Sequence, residues 1–229
     1  MTIEEFFEEV IISDEEKEEA RKFIYAKGVE KHNIIKDYLM AWHKDKKIHY
    51  SAIATTYRYD KRIRKVLFKY ISYLEELYRG MILDSFRYDF DNKFLIKELK
   101  NGVEDGNLNQ ALEELNFTNL IKQVQKLPSA IINKYIFNEN NLFDNLKAVK
   151  TLRNAVMHNK FLILYRGFDT CNISNGNRSS ALSANIKNLA SFLPLEVDEK
   201  MKKEINECRK KGRESKSKWN LPKQIVVII

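Results

Sequence analysis

A chain of 229 residues, 44% hydrophobic and 31% charged, has the balance of an ordinary globular protein and is long enough for one large domain or one domain with an appendage. Seven glycines and three prolines are too few for the turns of a β-sandwich or a doubly wound sheet, so long helices and an all-α fold are expected. The net charge of +8 fits a polyanionic partner, and no apolar run approaches the roughly 18 residues of a membrane span.

Charge is distributed unevenly. The first twenty residues hold nine acids and one Lys, whereas residues 200–218 hold nine Lys or Arg and three Glu. Such ends either meet different partners or form solvated helix faces. Met1 to Val10 is acidic where a secretory signal begins with basic residues. Cys171 and Cys208 form neither a CxxC pair nor a metal spacing, so two reduced thiols in a cytoplasmic protein, with no membrane association, are expected.

In chain order, Thr2 with Glu5 is a capping box, and Phe6, Phe7, Val10 and Ile11 follow as a short apolar face. Ser13-Asp14-Glu15-Glu16 predicts a second helix start, which Gly28 ends. Ile34, Ile35, Tyr38, Leu39 and Trp42 make a third helical face. Residues 1–45 thus form a helical extension. A Lys-rich turn, Lys44 to Lys47, follows between His43 and His49, and reads as a solvated loop or a contact for a polyanion such as a nucleic acid. Residues 60–86 carry the clearest helix, capped by Asp60, with Ile63, Leu67, Tyr70, Ile71, Leu74, Leu77, Tyr78, Met81 and Ile82 as its stripe. Most of the tyrosines in this region, Tyr57, Tyr59, Tyr70, Tyr73 and Tyr78, read as core or interface residues. Residues 87–140 are an irregular insertion, with turns at Asn101-Gly102 and Asp105-Gly106 and a helix from Leu108 to Leu127 that Pro128 ends or restarts.

A second strong helix is expected over 141–165, with Leu142, Leu146, Val149, Leu152, Val156 and Phe161 on its core face. Residues 167–180, rich in Gly, Asn and Ser, predict a loop. Asn185 to Leu193 predicts a short helix stopped by Pro194, and Glu196 to Lys211 a charged one ended by Gly212. Residues 46–215 then make the main domain and 216–229 a tail, whose apolar end, Gln224 to Ile229, predicts a docked strand or extended arm.

Chemistry concentrates in Arg153-Asn154-Ala155-Val156-Met157-His158. Asn154 and His158 stand four apart and share a helix face. Arg153 is five residues from His158, about 140° around the helix, within the reach of a long side chain. An imidazole transfers protons near neutrality, a guanidinium holds phosphate oxygens bidentately, and an amide orients either without adding charge. The same three side chains also fit an exposed helix face with a salt-bridging Arg.

Leu152-Arg153-Asn154-Ala155-Val156-Met157-His158-Asn159 resembles the Arg-x4-6-His signature of HEPN ribonucleases. Upstream, Tyr57-Arg58-Tyr59-Asp60-Lys61-Arg62-Ile63-Arg64-Lys65-Val66-Leu67 resembles the first long helix of the Abi-like (abortive infection, AbiD/AbiF) branch, continued by Leu74-Glu75 and Arg79. Leu193-Pro194 sits where that branch often has a Leu-Pro. The resemblance covers roughly residues 50–210. It departs at Met157-His158-Asn159, where the branch commonly has Ala-His-His.

The resemblance implies a HEPN-type helical bundle with additional N- and C-terminal helices. It implies a homodimer whose two motifs line one cleft, and a metal-independent endoribonuclease with no cofactor. The RNA 2′-hydroxyl would attack phosphorus to leave a 2′,3′-cyclic phosphate. His158 would be the acid or base, Arg153 the phosphate clamp and Asn154 the positioning residue. Such an enzyme would act as a toxin-type phage-defence effector on single-stranded RNA, restrained by an antitoxin or a regulatory noncoding RNA. Glu75 and Arg79 read either as supports for Arg153 and His158 from a facing helix or as a surface pair. RNA contacts are expected from Arg58, Lys61, Arg62, Arg64 and Lys65, and from a second cluster containing Lys202, Lys203, Arg209, Lys210, Lys211 and Arg213. The alternatives are a non-catalytic RNA-binding module and a helical interaction protein whose acidic start engages a basic partner.

Overall fold

The capping boxes seen in the sequence do start the first helices. In the computed structural model, which describes residues 1–42, 47–86, 94–135, 141–174, 177–209, 221 and 225–229, Thr2 and Glu5 cap α1 (Ile3–Glu9) reciprocally. Ser13 donates to the Glu16 carboxylate at the start of α2 (Asp14–Lys27). Gly28 ends α2 at φ 88°, a backbone conformation that only glycine adopts without strain, and α3 (Val29–Met40) follows at once. Between α1 and α2 runs β1 (Val10–Ile11), which pairs in parallel with β2 (Ile48–His49).

The fold is all-α, with eleven helices and four short strands among the described residues. The remaining elements are α4 (Tyr50–Phe86), α5 (Lys97–Glu104), α6 (Leu108–Glu114), α7 (Phe117–Lys126), α8 (Ser129–Tyr135), α9 (Leu142–Met157), β3 (Cys171–Ser174), β4 (Asn177–Ser179), α10 (Leu182–Ala190) and α11 (Leu195–Glu207). The chain divides into two compact units, Met1–Ile63 with Glu207–Val226, and Arg64–Asn206 with Val227–Ile229, the boundary falling inside α4. None of the helices is long and apolar enough to cross a membrane, among the described residues.

In the first unit, Phe6, Ile24, Ile35, Leu39, Ile53 and Tyr59 are fully enclosed. The face of α3 differs from the expected one. Ile34 and Trp42 point outward, and His32 and Lys36 take their places inside. Lys36 is tolerated there because Glu9 pairs with its ammonium. α4 starts ten residues before the expected Asp60. Its apolar stripe already includes Ala52, Ile53 and Tyr57, and Asp60 is a buried residue inside the helix and not its cap.

In the second unit, Leu67, Ile71 and Leu74 of α4 and Leu146, Val149 and Leu152 of α9 are buried. The expected helix over Leu108 to Leu127 is two helices, because the Asn116 side chain accepts from the Asn119 amide and starts α7 afresh. Gly102 is no turn: it lies buried within α5, where an added Cβ would stand 2.4 Å from Cβ of Ala111 on α6. The residue spaces two helices. Asp105-Gly106 is the true turn, with Gly106 at φ 69°. The expected loop over 167–180 contains the β3–β4 hairpin. Asn145 on α9 accepts from the Asn172 amide at 2.9 Å, and Asn188 on α10 donates to the Asn145 carbonyl at 2.8 Å. At the C-terminus, Ile225 and Val227 are buried and the side chain of Asn206 clasps the backbone of Ile229, so the arm over its described residues, 225–229, is docked without forming a strand.

Candidate active site

Arg153 projects from α9 toward α4, where its Nε donates to Glu75 at 3.1 Å. The other Glu75 oxygen faces the Arg79 guanidinium at 3.6 Å, one helical turn further along α4. Arg79 in turn donates to the carbonyls of Leu112 and Leu115, at 3.1 and 3.3 Å. It thereby holds the segment that leads into α7, whose first residue, Phe117, lies 5.7 Å beneath the Arg153 guanidinium. Three separate parts of the second unit therefore meet at Arg153: α4, the start of α7 and α9.

The cluster has two guanidinium groups and one carboxylate, so it keeps a positive charge. Glu75 and Arg153 remain partly accessible, at 15% and 28% of their side-chain surface. This partial exposure separates a clamp that can meet a solute from a sealed ion pair. Only Nε of Arg153 has a protein partner among the described residues. Its two terminal nitrogens keep the geometry that matches a pair of phosphate oxygens.

The helix that carries the motif ends sooner than its apolar pattern implies. α9 stops at Met157 and His158 is its C-cap, so the expected helix over 141–165 is cut short by eight residues. Asn159 turns the chain at φ 52°. Its amide donates to Val156 and the amide of Lys160 to Ala155, the paired bonds of a Schellman closure. Asparagine adopts the left-handed region more readily than most residues, which explains a stop without glycine.

Asn154 and His158 are both exposed, and the His158 amide donates to the Asn154 carbonyl at 3.0 Å. His158 lies about 7.5 Å further along the axis of α9 than Arg153. The structure thus brings Arg153, Glu75 and Arg79 into contact. It leaves His158 at the edge, on an end of α9 that Arg64 also reaches by donating to Asn159 Oδ1 at 3.1 Å. Sequence reasoning did not anticipate this last pair. The signal was an Asn directly after the motif histidine with no glycine nearby.

The expected basic surface is divided. In the first unit Arg58 is exposed over the Phe23 ring, Lys61 is exposed, and Arg62 donates to the Cys208 carbonyl at 2.9 Å. Arg62 is thus engaged with the chain itself, in contrast to a loose surface cation. In the second unit Lys65 and Lys203 are exposed and Lys202 pairs with Asp198. Arg209 is exposed. His43, Lys44, Lys46, Lys210, Lys211, Gly212 and Arg213 lie outside the described residues.

His32, by contrast, is fully buried among Phe6, Phe23, Tyr50 and Tyr57, with its ring parallel to that of Tyr57 at 5.5 Å. Its Nδ1 bonds the Gly28 carbonyl at 2.9 Å, so that nitrogen carries the proton, and Nε2 has no hydrogen-bond partner among the described residues. Desolvation holds this imidazole below its ordinary value. His49 is exposed on β2. Cys171 and Cys208 are buried thiols. Among the described residues, no three His, Cys, Asp or Glu side chains gather to hold a metal ion.

In comparisons with family models, curated proteins and solved structures, nothing matches this chain.

Proposed function

We propose that the chain is a metal-independent endoribonuclease of HEPN type, with Arg153, Asn154 and His158 as its reacting set. The observation that carries this reading is the state of Arg153. Its Nε is fixed on Glu75 and its face on Phe117, while its terminal nitrogens meet no acceptor among the described residues, and an exposed His158 closes the same helix. A guanidinium held this way is preorganised to receive a phosphate, since the cost of ordering its side chain is met before substrate arrives.

The reaction would run through the RNA itself. The 2′-hydroxyl attacks the adjacent phosphorus as the 5′-oxygen leaves, giving a 2′,3′-cyclic phosphate and a 5′-hydroxyl. His158 takes the 2′ proton or supplies one to the leaving oxygen, and Arg153 holds the non-bridging oxygens. Asn154, on the same face as His158, orients substrate or imidazole. One motif supplies one histidine, so a homodimer with both motifs in one cleft would supply acid and base together. DNA lacks the attacking hydroxyl and would be a poor substrate.

By the same resemblance, the enzyme would serve as a cytoplasmic abortive-infection effector against phage, restrained by an antitoxin or a regulatory noncoding RNA. Exposed Arg58, Lys61 and Lys65 would add phosphate contacts. About six such contacts on single-stranded RNA would give a log–log salt slope of roughly −4.

The Glu75 pairing also favours a second reading, since a carboxylate offsets part of the charge on Arg153. In that reading the fold holds a structured RNA without cutting it. The experiment is incubation of wild-type and His158→Ala protein with labelled single-stranded RNA in EDTA, followed by analysis of product ends. Cleavage by wild type alone, with cyclic phosphate ends, is the expected result. Tight binding by both proteins with cleavage by neither would transfer the assignment to the binding module.

A further inference from the structure

Resting on the ribonuclease reading, we infer that Arg64 and Asn159 form a clamp that positions His158 for proton transfer. His158 is exposed and ends its helix. The position of its ring therefore depends on the backbone turn just after it. That turn is built on a non-glycine residue at φ 52°, a conformation that costs an ordinary side chain energy and persists where other contacts hold it.

Two kinds of contact do so. The amides of Asn159 and Lys160 close back onto Val156 and Ala155. The Asn159 side chain then accepts from Nη1 of Arg64 at 3.1 Å, which fastens the end of α9 to α4. A second tie between α9 and α4 is Arg153 to Glu75. Glu75 follows Arg64 on α4 while Arg153 precedes Asn159 on α9, so the two helices run antiparallel and are linked on either side of His158. One link fixes the phosphate clamp, and the other fixes the turn that carries the imidazole. The charged donor makes the second bond stronger than a neutral amide pair would be.

A clamp and a plain RNA contact predict different kinetics. If Arg64 only touched phosphate, Arg64→Ala would raise KM and Asn159→Gly, which leaves Arg64 in place, would change nothing. As a clamp, both substitutions lower kcat by about tenfold or more at nearly constant KM, because the loss is in placement of the reacting group. Glycine suits φ 52° at least as well as asparagine, so Asn159→Gly should fold and keep its melting temperature. Arg64→Lys, which still reaches Asn159, should recover part of the rate lost in Arg64→Ala.

The test combines these kinetics with NMR of the His158 imidazole, compared in wild type and Asn159→Gly. The clamp predicts that the ring resonances of Asn159→Gly move toward those of a freely rotating histidine. Wild-type cleavage with unchanged kcat in both Asn159→Gly and Arg64→Ala would overturn the clamp and leave the ribonuclease reading standing. No wild-type cleavage, with a loosened His158 ring in Asn159→Gly, would overturn the ribonuclease reading and leave the mechanical link standing.

Discussion

His32 and His158 carry the same side chain into opposite settings. His32 is enclosed by four aromatic rings, bound through Nδ1 to a carbonyl, and left with an unpartnered Nε2. His158 stands exposed at a helix end, between two asparagines of which one is tied to an arginine. A proton-transfer group must reach solvent or substrate and accept charge at low cost. Burial denies His32 both, and its packing makes it a stability residue. Setting therefore leaves His158 accessible for the proposed chemistry and gives His32 a place in the core, a division that residue type alone would not give.

The largest expected effect would break this division if it failed. Replacing His158 by alanine should lower RNA cleavage by about a thousandfold, the usual worth of a general acid or base, with the melting temperature unchanged. Measured turnover together with a thermal melt checks both halves. Next comes Arg153→Ala. Loss of a preorganised charge donor should reduce kcat by about a hundredfold, read in single-turnover assays.

His32→Ala should do the reverse and leave the rate of the folded enzyme alone. It should cost about 2–4 kcal/mol of unfolding free energy through the cavity left among the rings, visible as a lower urea midpoint.

A pH experiment sharpens the contrast. His32 has a lowered folded value, so the unfolded chain binds its proton more readily and acid favours unfolding. The His32 contribution is fully present above the ordinary value of 6.5 and is lost as pH falls below it toward the lowered folded value. Urea midpoints at pH 7.5 and 5.0 should therefore differ more for wild type than for His32→Phe. The smallest effect is a control. Lys69 pairs with Glu204 on an exposed surface at 2.7 Å, and Lys69→Ala should change stability by less than about 1 kcal/mol.

Much of the helical frame was legible because caps and periodic stripes are local signals. The Thr2 and Ser13 starts, the Gly28 stop and the stripes of α4 and α9 are examples. The failures share a cause. Asp60 and Gly102 have the chemistry of a cap and a turn, but tertiary packing uses them as a buried acid and a helix spacer. Asn159 ends α9 while the apolar pattern runs on, since αL turning by asparagine leaves no mark in hydropathy. The hairpin was hidden in a composition that also describes loops.

The candidate site divides the same way. Asn154 and His158 share a face by helical spacing, which any reader of the motif can count. That Glu75 meets Arg153 was one of two readings, because choosing between them needs the register of helices 78 residues apart. The Arg64–Asn159 pair depends on a similar register across 95 residues and on a backbone turn, and neither is encoded in a short motif.

The three asparagines around the β3–β4 hairpin have a consequence for how the chain opens. Two strands of four and three residues have too few ladder bonds to persist alone. Here the Asn172 amide is capped by a side chain of α9, whose backbone is in turn held from α10. The ribbon's order is thus borrowed from the helices. Its Asn172 amide should resist hydrogen exchange as long as α9 does and be released in the same cooperative opening, so that this surface ribbon reports on the unfolding of the helical core.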